Sequence, residues 1–311
     1  METYTKLTVL KHTYPRLVVA LGMFDGVHIG HQSIIRRAVE LARSIDGKCL
    51  VFTFSNHPRA IFAPDSLPPV ISSARLRQQH MEELGVDLYM AIPFTREFAK
   101  HSPEDFLAML QSHFAPRYVV TGPNYTFGCK GKGSDRTLLR EAHNYGFQAE
   151  ICPAVLRDGR PVSSTRIRRL ILAGDLATAE DFLGRPFTVL GRVIHGDQRG
   201  RTIGFPTANL VIPDDRVMLP NGVYAAEVIY EGQHYLGLAN IGNNPTFEGC
   251  NRRLEVNLQG FHADIYDRLI EVRFRAKLRD EIKFPSVEAL VTQMHKDKAH
   301  VTQLAQKWQL R

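Results

Sequence analysis

Residues 17–31 read Leu-Val-Val-Ala-Leu-Gly-Met-Phe-Asp-Gly-Val-His-Ile-Gly-His, an apolar run that breaks into three glycines and two histidines. The run Leu17–Leu21 predicts a strand, and the amphipathic stretch His31–Ser44 predicts a helix. The turn between them, Gly22–His31, therefore lies beyond a strand's carboxyl end, where parallel α/β sheets place their ligands. Glycine there permits positive φ and close approach of the backbone to a ligand. His28 and His31 are three apart, so at a helix start both rings can share one face. The helix amino end adds N–H groups without intrahelical partners and a partial positive charge. Two imidazoles and those donors make a cradle for phosphate oxygens. The same dipole opposes protonating either ring, whereas a bound polyphosphate favours the charged form. Taken alone, a His-x-Gly-His tetrad also fits a turn carrying two surface histidines. The strand before it and the glycines around it favour the cradle.

Outward from this turn, the first half alternates strand-like and helical patterns. Further strands are expected at Cys49–Phe54, Leu88–Ile92, Tyr118–Thr121 and Gln148–Ile151. Amphipathic stretches lie between them near Ala74–Gly85, Pro103–His113 and Asp135–Tyr145. Strands separated by helices imply βαβ units and a parallel, Rossmann-like sheet. A helical segment, Thr165–Leu183, broken at Gly174, leads to Gly184-Arg185-Pro186, and there the texture changes. Strand-like runs follow at Phe187–His195, Val223–Tyr230, His234–Ile241, Arg252–Leu258 and Leu269–Leu278 with no helices between, which predicts an antiparallel sheet or small barrel. Val287, Leu290, Val291 and Met294 carry the stripe of a terminal helix docked on a core. Two domains are expected, residues 1–184 and 185–311.

Length agrees, because 311 residues exceed one core of typical size. A composition of 44% hydrophobic and 23% charged residues is that of a folded soluble protein. No run approaches the roughly 18 uninterrupted apolar residues of a membrane span. The first twenty residues lack the basic start and apolar stretch of a secretion signal. Cys49, Cys129, Cys152 and Cys250 lie far apart, without metal or disulfide spacing, and read as incidental thiols in a reducing cytoplasm. Lys and Arg number 39 against 32 Asp and Glu, a net charge of +7 that favours anionic partners. That charge is spread along the chain, and no basic strand is interleaved with aromatics, so small phosphates fit better than nucleic acid.

Other segments add to the first site. Ser163-Ser-Thr-Arg-Ile-Arg-Arg169 opens a helix with capping hydroxyls yet places three arginines where the dipole repels cations. An anion resolves that conflict; a solvated basic face is the alternative. Gly122-Pro-Asn-Tyr-Thr-Phe-Gly128, followed by Lys130 and Lys132, trails the fourth strand and reads equally as a ligand loop or a plain flexible one. His57-Pro58 reads as structural.

A second site is expected in the glycine-framed stretch Gly191–Leu210, which includes Gly196, Gly200 and Gly204. Its backbone N–H groups can wrap phosphates, although it lacks the P-loop pattern. If Pro206–Leu210 is extended, Thr207 and Asn209 project from one face. A hydroxyl and an amide oxygen suit Mg²⁺, which takes oxygen donors and keeps phosphate partners. An edge turn is the other reading. Downstream, Leu254, Val256 and Leu258 alternate with Arg253, Glu255 and Asn257, so Glu255 faces away from the core and can reach the phosphate loop as a general base. A solvent-facing strand Glu is the commoner fate of such a residue.

The motifs Gly-x-Phe-Asp-Gly-Val-His-x-Gly-His-Gln at 22–32, Asn-Tyr-Thr-Phe-Gly at 124–128 and Ser-Ser-Thr-x-Ile-Arg at 163–168 resemble the adenylyltransferase half of bacterial bifunctional riboflavin kinase/FMN adenylyltransferases. Gly-Arg-Thr-Ile-Gly-Phe-Pro-Thr-Ala-Asn at 200–209, Asn-Ile-Gly-x-x-Pro-Thr-Phe at 240–247, Leu-Glu-Val at 254–256 and Phe-x-x-Lys-Leu-Arg-x-Glu-x-x-Phe at 274–284 resemble the kinase half, a small β-barrel. The resemblance spans essentially the whole chain. It implies that His28 and His31 stabilise charge on ATP phosphates as FMN attacks, with Gly22, Phe24, Ser164, Thr165 and Arg168 in the ATP site and Asn124 at the flavin. It implies that Thr207 and Asn209 bind Mg-ATP in the kinase half, with Gly196 and Gly204 at the phosphates. Glu255 then deprotonates the ribityl hydroxyl, and Arg279 lies in a flavin-binding segment. Departures from the usual pattern fall at Asn56, Asn124, Ser134 and Asn257, and none removes an assigned catalytic group.

The expected function is therefore sequential: riboflavin and ATP give FMN, then FMN and ATP give FAD and pyrophosphate. Flavins and ATP are the expected partners, with no membrane. A single-activity protein whose other half only binds flavin is the competing enzyme reading. A nucleic-acid-binding module is the competing reading of another class.

Overall fold

The computed structural model describes residues 1–196, 204–243 and 252–308. The chain divides into two compact units, Met1–Pro68 with Ala74–Ser164, and Pro69–Ser73 with Thr165–Arg311.

The first unit holds a six-stranded parallel sheet. Its strands are β1 (Glu2–Tyr4), β2 (Leu17–Leu21), β3 (Lys48–Phe54), β4 (Leu88–Ile92), β5 (Tyr118–Thr121) and β6 (Gln148–Ile151), in the order β1-β4-β3-β2-β5-β6. All five residues of β2 are buried, because helices cover both faces of the strand. Leu17, Val19 and Leu21 pack with Phe106, Leu110 and Phe114 of one helix (Pro103–Phe114). Val18 and Ala20 pack with Ile34, Ile35 and Ala38 of α1 (Ile29–Ser44) on the other face. The chain leaves β2 toward β3 on one side and later returns to β5 on the other, so the crevice beyond β2 is a topological switch point. The short edge strand β1 was not expected; three residues carry too little pattern to read.

The second unit is built on a closed antiparallel barrel. Its strands are β7 (Phe187–Ile194), β8 (Ala208–Val211), β9 (Gly222–Tyr230), β10 (Gln233–Asn243), β11 (Arg252–Leu258) and β12 (Leu269–Arg279), in the order β7-β8-β11-β10-β9-β12 with β12 closing on β7. A terminal helix, Val287–Ala305, lays Val301 and Leu304 on Val223, Ala225 and Leu238, on the outer face of β9 and β10. The helical segment before the barrel is two helices, Ser164–Ala173 and Leu176–Leu183, separated at Gly174. The second packs on β7 and β12, which groups residues 165–183 with the barrel although the sequence texture changes only at Gly184.

The barrel wall buries carboxylates, Glu227 the most deeply. Glu227 is 2% exposed, and its carboxylate meets Arg275 at 2.6 Å and His234 Nδ1 at 2.6 Å. Burial pushes that carboxyl up, but the hydrogen bonds from Arg275 and His234 and the nearby guanidinium charges outweigh it and hold its pKa below the usual value. A depressed folded-state pKa contributes stability above the unfolded carboxylate range, and that contribution is lost as pH falls through the folded value. Replacing Glu227 with Gln is therefore expected to cost about 2 kcal/mol at pH 7. Urea unfolding from pH 7 to pH 3 should show the gap between native and variant chains closing on acidification. A gap independent of pH would remove the carboxylate from this account.

Two candidate active sites

Helix α1 begins with His28 as its cap: the His28 Nδ1 accepts the His31 N–H at 3.3 Å. The three-residue spacing stacks the two imidazoles, centroids 3.6 Å apart and 18° from parallel. The turn before them is strained, with Phe24 and Val27 at φ values of 50° and 37°. Such residues cost on the order of 1–3 kcal/mol each and persist only where surroundings hold them. Here Thr53 Oγ1 donates to the Met23 carbonyl at 3.3 Å and Gln32 Nε2 to the Val27 carbonyl at 2.9 Å. Phe24 is fully buried, its ring set edge-on to His31 at 5.4 Å. It offers no side-chain surface to a ligand and instead orients His31. Gly22 makes this possible, because a Cβ there would lie 2.8 Å from the Phe24 ring. Ser164 Oγ donates to the Asp25 carbonyl at 3.0 Å, which brings Ser164 to the same turn. Thr165 and Arg168 belong to the second unit, where Arg168 Nε donates to the Pro69 carbonyl at 2.6 Å. His57 Nδ1 accepts the Arg59 N–H, a turn contact.

Beside Gly22 and Met23 opens a cavity of about 930 Å³. Phe54, Phe62, Phe94 and Phe98 form its aromatic wall, with Phe54 edge-on to Phe94 at 4.9 Å and to Phe98 at 5.2 Å. Asn124, at φ 62°, lines it with its loop anchored by the Asn124 N–H to Asp135 Oδ2 at 3.1 Å. Arg96, Lys100 and Lys130 are its lining cations. The phenylalanine wall and Arg96 were missed in the sequence. The signal was present, since Phe54, Phe94 and Phe98 sit at or just beyond the carboxyl ends of β3 and β4.

In the barrel, Thr207 immediately precedes β8 and Asn209 lies within it, 5% exposed. Asn209 faces Glu255 across the β8–β11 pair, and Glu255 faces Asn240 across β11–β10. Three polar side chains thus stand side by side on three strands. Thr207, Asn240 and Glu255 line one cavity of about 320 Å³, joined by Arg279. Glu255 pairs with Arg253 Nε at 3.1 Å and keeps 32% of its side chain exposed. Arg279 turns Nε and Nη2 onto the buried Asp297 at 3.0 and 2.9 Å and stacks over Phe284 at 5.6 Å. Asn257 Nδ2 donates to the Pro206 carbonyl at 2.7 Å, tying the Thr207 segment to β11. Thr207 also borders a second cavity of about 400 Å³, walled by Phe261, Ile265 and Tyr266. Gly196 and the exposed Gly204 flank residues 197–203, and the motif residues 244–247 likewise lie outside the described residues.

A family model described as FAD synthetase matches residues 10–166, and one described as riboflavin kinase matches residues 183–305. Curated relatives carry both halves in one chain. The bifunctional riboflavin kinase/FMN adenylyltransferase of Escherichia coli (strain K12) is 37% identical over 283 residues, 90% of each chain. That of Pseudomonas fluorescens is 37% identical over 98% of each chain.

The chain belongs to the bifunctional riboflavin kinase/FMN adenylyltransferase family.

Both activities of the family, phosphorylation of riboflavin to FMN and adenylylation of FMN to FAD, are thus carried by this chain. The Rossmann-like sheet and the closed barrel are their two supports, as the motif pattern led us to expect. A crystal structure of a Streptococcus pneumoniae protein described as a macrolide-efflux protein shares the fold, with a TM-score of 0.85 and 35% identity over 97% of this chain and 99% of that one. Among the described residues here, no helix is long and apolar enough to cross a membrane.

Proposed function

We propose that the His28–His31 turn carries adenylyl transfer and that the Thr207–Glu255 face of the barrel carries riboflavin phosphorylation. The reading divides the two activities at Gly184, with adenylyl transfer in residues 1–184 and the kinase in 185–311. In adenylyl transfer the FMN phosphate attacks the α-phosphorus of ATP and pyrophosphate departs. No protein nucleophile is needed, so the residues must align two anions and neutralise their charge. The stacked imidazoles and the amino end of α1 do the latter, with Ser164, Thr165 and Arg168 assigned to the triphosphate and Gly22 to close backbone approach. The aromatic cavity takes the flavin ring, with Asn124 at its edge.

In riboflavin phosphorylation the ribityl hydroxyl attacks the γ-phosphorus and ADP departs. Glu255 accepts the hydroxyl proton, and Arg279 shapes the flavin side of the cavity. One observation carries this half: Thr207 borders both barrel cavities, so phosphates held there reach from a nucleotide in one to an acceptor in the other. Thr207 and Asn209 also fit a magnesium ion. The Asn209 Oδ1 is buried with no hydrogen-bond partner among the described residues, an oxygen donor of the type Mg²⁺ takes. When bound, the ion neutralises charge on the transferring phosphates. The working compartment in this reading is the cytoplasm, which agrees with cysteines spaced for neither a metal nor a disulfide.

Gly196 provides the test. A Cβ there would lie 2.3 Å from Asn209 Nδ2 and 2.4 Å from Arg253 Nη2, so Gly196→Ala must displace both. Kinase activity is expected to fall about tenfold, for a displacement of less than an ångström, and to need more magnesium for half-maximal rate. FAD formation from supplied FMN should be unchanged. An unaltered magnesium requirement in the variant would count against Asn209 as a ligand.

A further inference from the structure

Asn56 stands just beyond the end of β3, at a position the assignments above leave unused. The last main-chain rung between β3 and β4 runs from the Ser55 N–H to the Ile92 carbonyl at 2.8 Å. In a parallel pair the next rung would bring the Phe94 N–H to the Ser55 carbonyl, but that N–H turns to a side chain instead. The Asn56 side chain takes over the pairing. Its Oδ1 accepts the Phe94 N–H at 2.7 Å, and its Nδ2 donates to the Phe94 carbonyl at 3.0 Å. A primary amide joins a donor and an acceptor in one planar group, so it can satisfy both main-chain atoms of one residue. The clamp holds Phe94 as a neighbouring strand would, at the point where the strands part.

What the clamp holds is one wall of the large cavity. The Phe94 ring lies edge-on to Phe54 at 4.9 Å and tilted against Phe98 at 5.9 Å. Arg96 and Lys100, two of the three lining cations, extend from the same loop. Other bonds of the loop are internal, such as the Phe98 N–H to Thr95 Oγ1 at 3.1 Å and the Ala99 N–H to the Thr95 carbonyl at 3.0 Å. Its far end is tied by the Cys129 N–H to the His101 carbonyl at 2.6 Å. Asn56 ties the near end to the sheet. A loop ordered in advance of binding does not charge its ordering entropy against affinity.

We propose that Asn56 is a positioning residue for FMN, its amide clamp on Phe94 pre-organising the loop that supplies the cavity with aromatic wall and cations. The proposal rests on the reading that this cavity takes FMN. It acts on ground-state binding of one substrate, so its signature is a split between KM and kcat.

The experiment is steady-state FMN adenylylation by the full chain carrying Asn56→Ala, Asn56→Asp or Phe94→Ala. Loss of both hydrogen bonds in Asn56→Ala is expected to raise the KM for FMN about tenfold. The kcat at saturating FMN, the KM for ATP and the riboflavin kinase rate should stay within about twofold, since none of them depends on the loop's order before binding. Asn56→Asp keeps the acceptor but turns a carboxylate oxygen toward the Phe94 carbonyl, so its KM should rise at least as far. An unchanged KM in both Asn56 variants, with Phe94→Ala raising it, overturns the clamp and leaves the cavity reading standing. No change in any of the three variants overturns the cavity reading as well. A fall in kcat with equal effects on both substrates, or a parallel loss of kinase activity, assigns Asn56 a merely structural role and also overturns the proposal.

Discussion

Replacing His28 with alanine is expected to lower FAD formation about 10²–10³-fold, the scale of a lost charge-stabilising donor, while FMN accumulates from riboflavin. The effect is large if, as proposed, charge develops beside this ring, which caps the amino end of α1 and stacks on His31. His28 also caps the helix through its Nδ1, and loss of a cap alone costs about 1 kcal/mol of stability. His28→Asn separates the two roles, since an amide oxygen can still cap but cannot carry charge. Both variants should therefore fail at FAD synthesis, and His28→Asn should retain more thermal stability. Recovery of FAD synthesis in His28→Asn would reduce His28 to a capping residue. Product analysis by chromatography, with riboflavin or FMN supplied separately, reads both reactions in one experiment.

Glu255→Gln should suppress FMN formation by about 10²–10⁴-fold, the range for a lost general base, and leave FAD synthesis from supplied FMN intact. The substitution keeps the shape and hydrogen-bonding reach of the side chain and removes its capacity to take a proton. Its position supports that role. The carboxylate lines the cavity shared with Thr207, stands opposite Asn209 and Asn240, and is held by Arg253 at 3.1 Å. Kinase activity within tenfold of the native chain would remove Glu255 from proton transfer. Loss of both reactions in a folded variant would undo the assignment of each activity to its own site.

Much of the candidate sites' geometry was legible because it is local in the chain. The spacing of His28 and His31 needs only a helix start to become a stacked pair, and the five apolar residues before them need only burial to become a strand. Alternation at 254–258 likewise placed Glu255 with Arg253 on one side and Leu254 and Val256 in the core. Phe24 was read differently by its motif and by its packing. As part of the phosphate motif it was expected at ATP, whereas in the fold it is buried against Gly22 and His31. Asn257 and Asn56 looked like departures from a pattern; each proves to donate to a main-chain carbonyl far along the chain, Pro206 and Phe94.

By itself, the sequence determined the elements, the parallel and antiparallel textures, the turn that carries both histidines and the two activities. These follow from periodicity, glycine placement and short motifs, all of which act over a few residues. Tertiary structure alone decided which side chains gather into a cavity. The wall of Phe54, Phe94 and Phe98 and the row of Asn209, Glu255 and Asn240 depend on strand order and register. Barrel closure, the Glu227–Arg275 pair and the Asn56 clamp were decided there too. The reason is physical: register and strand order join residues distant in sequence, and no local pattern encodes which distant partner a strand will take.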